Sequence, residues 1–350
     1  MINDKGILIK NIYYMLAYSF HTLNQANYDM IQTEDFENIH DMFSAILGKG
    51  VASQLKHGLH KEYIGKSESL SVLRGKLDIY GTVKDRVQCS NKLACEYDEL
   101  SENNLLNQIL KATMQILIKQ DTVKAKHKVI LKKNLVFFNS IDNIDINKIQ
   151  WQNIRYQRNN QNYKMLINIC YLVLTGLILS TDKGDIKLAT FIDERAMHSI
   201  YEKFILEYYR YHHPEYNANP DRIQWNTDDG VIQFLPKMIT DITLKYNNKT
   251  LIIDAKYYEH TFQTNYNTNT IHSDNLYQIF AYVKNLDKDN TGDVAGMLLY
   301  AKTQEQITPD NKYLMSGNTI WVKTLDLNQP FPQIKRQLEN IAKEFFIETK

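Results

Sequence analysis

The chain has 350 residues, 43% of them hydrophobic, enough for two ordinary domains or one large one. Its 41 Lys and Arg stand against 40 Asp and Glu, a formal net charge of +1. That balance excludes the overall cationic character of a protein that holds nucleic acid with its whole surface, so any such contact must be local.

Three cysteines, Cys89, Cys95 and Cys170, form neither a C-x-x-C pair nor an even set. This argues against a structural zinc site and for a reducing compartment, with the thiols read as buried. Residues 1–10 carry Asp4 and Lys5 ahead of a short apolar stretch and lack the long apolar run of an export signal, so a cytoplasmic protein is expected.

In chain order, apolar residues three and four apart predict helices over 11–18 and 41–59, the latter through Met42, Ile46, Val51 and Leu55. Gly48-Lys49-Gly50 lacks the spacing of a phosphate-binding loop, so nucleotide hydrolysis belongs to a partner. His57 and His60 have metal-like spacing, but no third ligand is near and Lys61 adds positive charge; they are read as structural. Between 70 and 95 the period shortens to alternation, with Val72, Leu77, Ile79 and Val83 divided by Gly75 and Gly81, which predicts a strand-rich patch.

Ser101 is the expected N-cap of a helix over 105–119, and a second helix covers 124–138. Lys124, Lys126, Lys128, Lys132 and Lys133 make a basic stripe on it, a solvated face or, as the alternative, a contact for phosphate or an acidic partner. The asparagine-rich segment 139–162 is the expected domain break, giving 1–160 and 161–350. The apolar stretch 165–179 is interrupted by Asn168, Thr175 and Gly176 and falls short of the roughly 20 residues that cross a bilayer, so it is read as a buried helix with no membrane role.

Residues 195–209 form an amphipathic helix through Ile200, Phe204, Ile205 and Tyr208, with Glu202 on a neighbouring face. Strands are predicted over 231–235, 238–245 and 251–257, the last two joined by a hairpin at Asn247-Asn248, and a helix over 275–284 follows. The fold class expected is α/β, with a mixed α+β N-terminal region.

With 40 acidic residues and abundant lysine, roughly four D/E-x-K tripeptides are expected by chance, and four occur. Those at Asp185, Asp310 and Glu348 lie in polar or terminal stretches. The fourth differs: Leu251, Ile252 and Ile253 lead a strand into Asp254-Ala255-Lys256, and period two puts Asp254 and Lys256 on one face. Asp241 opens the strand before, so a hairpin sets two carboxylates side by side.

Two carboxylates with waters suit Mg²⁺, a hard ion that keeps part of its hydration, with Mn²⁺ as a possible substitute. Such an ion lowers the pKa of water and stabilises charge growing on a phosphorane, while Lys256, a compact point charge, orients the water. Glu202 either completes the acidic cluster, directly or through water, or is an ordinary solvated helix charge. Gln278 and Tyr282, at i and i+4, share a helix face; they touch the reacting water or the DNA backbone, or are packing residues.

The order acid, Asp241, Asp254-Ala255-Lys256, Gln278-x-x-x-Tyr282 resembles the PD-(D/E)xK nucleases with a RecB-like Q-x-x-x-Y helix, which implies a restriction-endonuclease-like α/β core. Five further stretches carry a closer resemblance: residues 10–18 (KNIYYMLAY), Arg74-Gly75-Lys76-Leu77-Asp78, Asn104-Leu105-Leu106-Asn107, Thr240-Asp241-Ile242-Thr243 and Asp254-Ala255-Lys256-Tyr257-Tyr258. Together, nearly end to end, these are similar to the McrC family, nuclease subunits of McrBC modification-dependent restriction systems. One departure is Thr240, where the wider superfamily has the proline that names it; that proline shapes a strand and binds no metal.

The resemblance implies a type IV-like restriction endodeoxyribonuclease subunit, with Asp241, Asp254 and Glu202 as metal ligands and Lys256, Gln278 and Tyr282 completing the catalytic set. It implies as partners an McrB-like AAA+ GTPase ring, docked by the N-terminal half, and double-stranded DNA carrying 5-methylcytosine; GTP enters only through the ring, whose hydrolysis this chain stimulates. Two other readings stay open: a non-catalytic adaptor on a vestigial nuclease fold, and a stand-alone RecB-like repair nuclease.

Overall fold

A computed structural model describes residues 3–4, 7–19, 36, 38–156, 163–175, 179–180, 186–187, 194–257, 262–265, 268–302 and 308–347. The chain is α/β, and it divides into two compact units, residues 1–42 with 176–350 and residues 43–175. This differs from the expected break at 160. Helix α1 (Ile9–Ser19) belongs to the first unit with the C-terminal half, because its buried face packs there: Asn11 Nδ2 donates to the carbonyls of Leu327 and Gln329 at 2.7 and 2.8 Å, and Tyr14 stacks on Phe331. Helix α2 (Ile39–His57) contains the first crossing between units.

In the second unit, strand β1 (Glu62–Leu70) is followed by the short β2 (Lys76–Leu77), helix α3 (Ile79–Val87) and β3 (Leu93–Ser101). Both β1 and β2 pair antiparallel with β3. The strand-rich patch is therefore interrupted by a helix that alternation over Leu77, Ile79 and Val83 does not suggest. Gly81 is the reason: it is not a turn-former but a close-approach residue, since a Cβ there would meet Ala94 Cβ at 2.7 Å. Gly75 is a true turn residue, with φ +68° and Glu96 O only 2.4 Å from where a Cβ would stand.

Helices α4 (Leu105–Lys119) and α5 (Ala125–Leu135) form a hairpin, and α6 (Tyr163–Thr175) packs on α4. The N-cap of α4 is Asn104 rather than Ser101: its side chain accepts from Asn107 N, while Ser101 closes β3. Asn104 and Asn107 both donate to His60 O, and Tyr163 donates to Asn107 Oδ1 at 3.1 Å, so the Asn-Leu-Leu-Asn motif ties the start of α4 to the strand entrance. His60 pairs with Glu62 at 3.1 Å, in keeping with its structural reading. Cys95 and Cys170 are buried, but Cys89 is exposed, at a left-handed position (φ 58°) in a surface turn.

The first unit continues with helix α7 (Glu194–His212) and a five-stranded sheet. Strands β4 (Ile242–Tyr246) and β5 (Lys249–Lys256) form the expected antiparallel hairpin, with Asn247 in the left-handed region its turn needs. Helix α8 (Ser273–Leu286) crosses to β6 (Val294–Ala301), which runs parallel to β5. Strand β7 (Asn311–Met315) turns into β8 (Asn318–Leu325), which pairs parallel with β6, and helix α9 (Phe331–Phe346) ends the unit; the order is β4-β5-β6-β8-β7.

Parallel central strands are buried on both faces and read as continuous apolar runs, as in Val-Ala-Gly-Met-Leu-Leu-Tyr-Ala of β6. Gly296 lets α8 approach that strand, since a Cβ would stand 2.6 Å from Ile279 Cγ1. Residues 231–235 are not a strand. They form an exposed turn with Phe234 at φ 67°, and their apolar side chains have no sheet to pack on. No helix of the described residues is long and apolar enough to cross a membrane.

Candidate active site

Hairpin register decides the geometry. Ile242 pairs with Ile253, so Asp241, one residue before β4, stands opposite Asp254. Asp241 Oδ2 accepts from the backbone N–H of Ala255 at 3.0 Å, which fixes its carboxylate beside the Asp254-Ala255-Lys256 segment. Thr240 is buried and its hydroxyl meets that of Thr243 at 2.8 Å, holding the chain just before Asp241.

Asp254 is 1% exposed and Lys256 8%, on the same side of β5 as Ile252, which packs against Ile279 and Val283 of α8. Lys256 Nζ lies 2.9 Å from Asp254 Oδ2, an ion pair rather than a well-directed hydrogen bond. Both Asp254 oxygens are sealed from solvent, and among the described residues the Lys256 ammonium is the one donor that reaches them. A buried carboxylate in that condition is costly unless a cation meets it, and one lysine balances only one of two acids.

Electrostatics follow the same logic. Burial pushes the Asp241 carboxyl up to about 7, with Asp254 and Glu202 adding to the rise and Lys256 opposing it. Burial raises Asp254 as well, against the pull of Lys256. These two acids form a site that binds a proton readily in the absence of a cation and would surrender it to one.

Helix α8 supplies the third side. Gln278 Oε1 lies 3.5 Å from Lys256 Nζ, Gln278 Nε2 donates to Tyr282 Oη at 2.9 Å, and Tyr282 Oη donates to Ile239 O at 3.2 Å. Gln278 and Tyr282 thus form a brace from the chain before Asp241 to the lysine. Glu202 is close enough to raise both aspartates, but its own partner is His198, one turn earlier on α7, with Nδ1 to Oε1 2.8 Å.

Among the described residues no three His, Cys, Asp or Glu come together as a metal-holding group. The expected three-carboxylate set is therefore not preassembled: the two aspartates are adjacent and Glu202 is held aside by His198. Two carboxylates with retained waters remain a donor set that fits Mg²⁺.

His198 was not among the residues singled out from sequence. Its Glu202 hydrogen bond raises its pKa, and the charges of Lys256 and Asp241 are felt there, so it borders the site. The signal available was its i, i+4 spacing to Glu202. Of the other D/E-x-K acids, Asp310 pairs with Lys323 at 2.9 Å on the surface, and Asp185 and Glu348 lie outside the described residues, as does Tyr258.

Comparison with known proteins agrees along the length of the chain. Residues 3–301 match the family described as the McrBC 5-methylcytosine restriction system component. A protein of Escherichia coli K12, the type IV methyl-directed restriction enzyme EcoKMcrBC, is 28% identical over 347 residues, covering 97% of this chain and 98% of that one. Among solved structures, a chain from the refined half-complex of the Thermococcus gammatolerans assembly of McrB AAA+ hexamers with bound McrC superposes with a TM-score of 0.55. It is 18% identical over 96% of this chain and 76% of its own length, a likeness of fold.

Proposed function

The chain belongs to the McrBC family of restriction-system components, and from that membership we propose that it is the DNA-cleaving subunit, hydrolysing phosphodiester bonds with Mg²⁺ held by Asp241 and Asp254. The observation that carries this reading is the buried Asp254 carboxylate, which among the described residues meets no donor besides the Lys256 ammonium and faces Asp241 across the hairpin. When bound, the cation supplies an acidified water and neutralises charge at the scissile phosphate.

The chain's own residues do the positioning. Lys256 brings a compact positive charge to the mouth of the acid pair, and its reach to Gln278 gives it a second anchor besides Asp254. Gln278 and Tyr282 hold that anchor against Ile239, so the lysine and Asp241 are placed by one hydrogen-bonded chain. His198 holds Glu202 back from the acid pair but near enough for it to meet the cation through water.

The substrate in this reading is double-stranded DNA carrying 5-methylcytosine, and the partner is a GTP-hydrolysing AAA+ ring of the McrB kind, whose turnover this chain stimulates. Support for docking by the second unit comes from its surface: α3 buries no residue, and Ile79, Tyr80, Val83 and Val87 stand in solvent beside Val72 and Leu73. An apolar surface of this kind marks a protein contact.

With the ring, GTP, Mg²⁺ and methylated DNA, Asp254→Ala is expected to abolish cleavage while GTP hydrolysis by the complex survives; cleavage that persists would sink the assignment. A non-catalytic adaptor would bind no Mn²⁺ at this site. Calorimetry on the wild type and Asp241→Ala distinguishes the two, since the nuclease reading requires Mn²⁺ binding that the substitution removes.

A further inference from the structure

Charge is not spread evenly over the chain. Residues 103–141, which contain the α4–α5 hairpin, carry seven lysines and one acid, Asp121, a local charge of +6 in a chain whose total is +1. All of it lies in the second unit, away in sequence from the acid pair at 241 and 254.

Helix α5 concentrates the excess. It has no acid in its first turn, although a helix N-terminus favours negative charge. Lys124, Lys128 and Lys132 follow one another at i, i+4 and i+8, a spacing at which like charges repel. Its inner face is accounted for: His127, Leu131 and Asn134 are buried, and Asn134 donates to Gly48 O at 2.8 Å. On the outer side Lys126, Lys132 and Lys133 are exposed, flanking exposed Val129, Val136 and Phe137.

Among the described residues, no acid forms an ion pair with Lys128, Lys132 or Lys133. Asp142, just beyond the hairpin, accepts instead from Asn103. The like charges of Lys128, Lys132 and Lys133, which no acid among the described residues meets, are accounted for if an anion outside the chain meets them.

We infer that the outer face of α5 is a second DNA-contacting surface, a sequence-independent clamp on the phosphate backbone of the duplex that the acid pair cuts. The inference rests on the reading of this chain as acting on DNA. Charge complementarity selects DNA over an acidic protein: 11 residues of helix span about 16 Å, and a duplex offers one charge for roughly every 1.7 Å of its axis. The five lysines from 124 to 133 supply one charge for about every 3 Å of that length, close to the spacing of about 3.4 Å between phosphates on one strand.

The test is fluorescence anisotropy of the full chain with an unmethylated duplex in EDTA, where no cleavage occurs. Binding and catalysis are thereby read separately. Lys128→Gln/Lys132→Gln/Lys133→Gln is expected to weaken binding roughly tenfold or more at low salt and to flatten log K against log[salt] by about 2.7, three phosphate contacts at about 0.9 each. Arginine at the same three positions should preserve both values, and a circular-dichroism melt should show all three proteins folded. Unchanged affinity and slope in the glutamine variant, or no binding by the wild type at low salt, overturns the inference. Binding of polyglutamate in place of DNA also overturns it, in favour of a protein partner.

Discussion

In the first unit, strand β6 is buried at all eight positions, and so are Asp254 and Lys256, the lysine reaching Gln278 of helix α8. In the second, α3 buries nothing and Tyr80 is 82% exposed. Each arrangement carries a cost the other avoids. Burying charge weakens the fold but fixes atoms in place and shields them from water; exposing apolar side chains invites association but leaves a face ready for another molecule. The contrast separates a unit built to hold atoms still from a unit built to be touched.

The comparison breaks most visibly if the buried lysine proves dispensable. Lys256→Ala is expected to lower cleavage by about 10²–10³-fold or more, measured on methylated duplex with the ring present. An activity near the wild type would reduce the Asp254–Lys256 pair to a structural contact.

A smaller effect comes from pH. Asp241 stands at about 7 in the folded chain against the ordinary 3.8, so folding tightens its hold on a proton. In the metal-free protein the resulting stability is complete below about pH 4 and is lost as pH rises through 7. Cation binding has the opposite sign because it needs the ionised acid, so Mn²⁺ affinity should rise about tenfold between pH 6 and pH 8. Calorimetry at the two pH values checks this, and a flat profile would mean that burial is not what governs Asp241.

The smallest effect sharpens the other side. Ile79→Ser/Tyr80→Ser should leave the denaturation midpoint of the second unit nearly unchanged, within about 0.5 kcal/mol per site, yet reduce stimulation of the ring's GTPase. A large loss of stability would show that these side chains support the fold and are not there for a partner.

The β4–β5 hairpin was legible because its information is local: period-two alternation, an asparagine turn and Asp254 and Lys256 two residues apart are all visible within sixteen residues. Helix α8 was legible for the same reason. Alternation misled over 77–83, where Gly81 serves a tertiary contact with Ala94 that no local pattern encodes. It misled again at 231–235, where β-prone residues have no partner strand. Tertiary distance also hid the true grouping of α1, whose hydrogen bonds from Asn11 reach residues more than 300 positions away. His198 was less legible, because its spacing to Glu202 is visible in the sequence but the nearness of that pair to Asp241 and Lys256 is tertiary.

The membership of α1 in the first unit bears on how the protein is made. Ile12 and Leu16 leave the ribosome long before α7, and they wait while the whole of residues 43–175 is synthesised. At bacterial or eukaryotic elongation rates that interval is roughly 10–40 s, time enough for the inserted unit to fold first and for the naked face of α1 to need protection. A fragment beginning at residue 161 would lack this helix, leaving the surface around Phe204 and Phe331 bare. Attempts to produce the first unit alone should therefore keep residues 1–42 and bridge the gap with a linker.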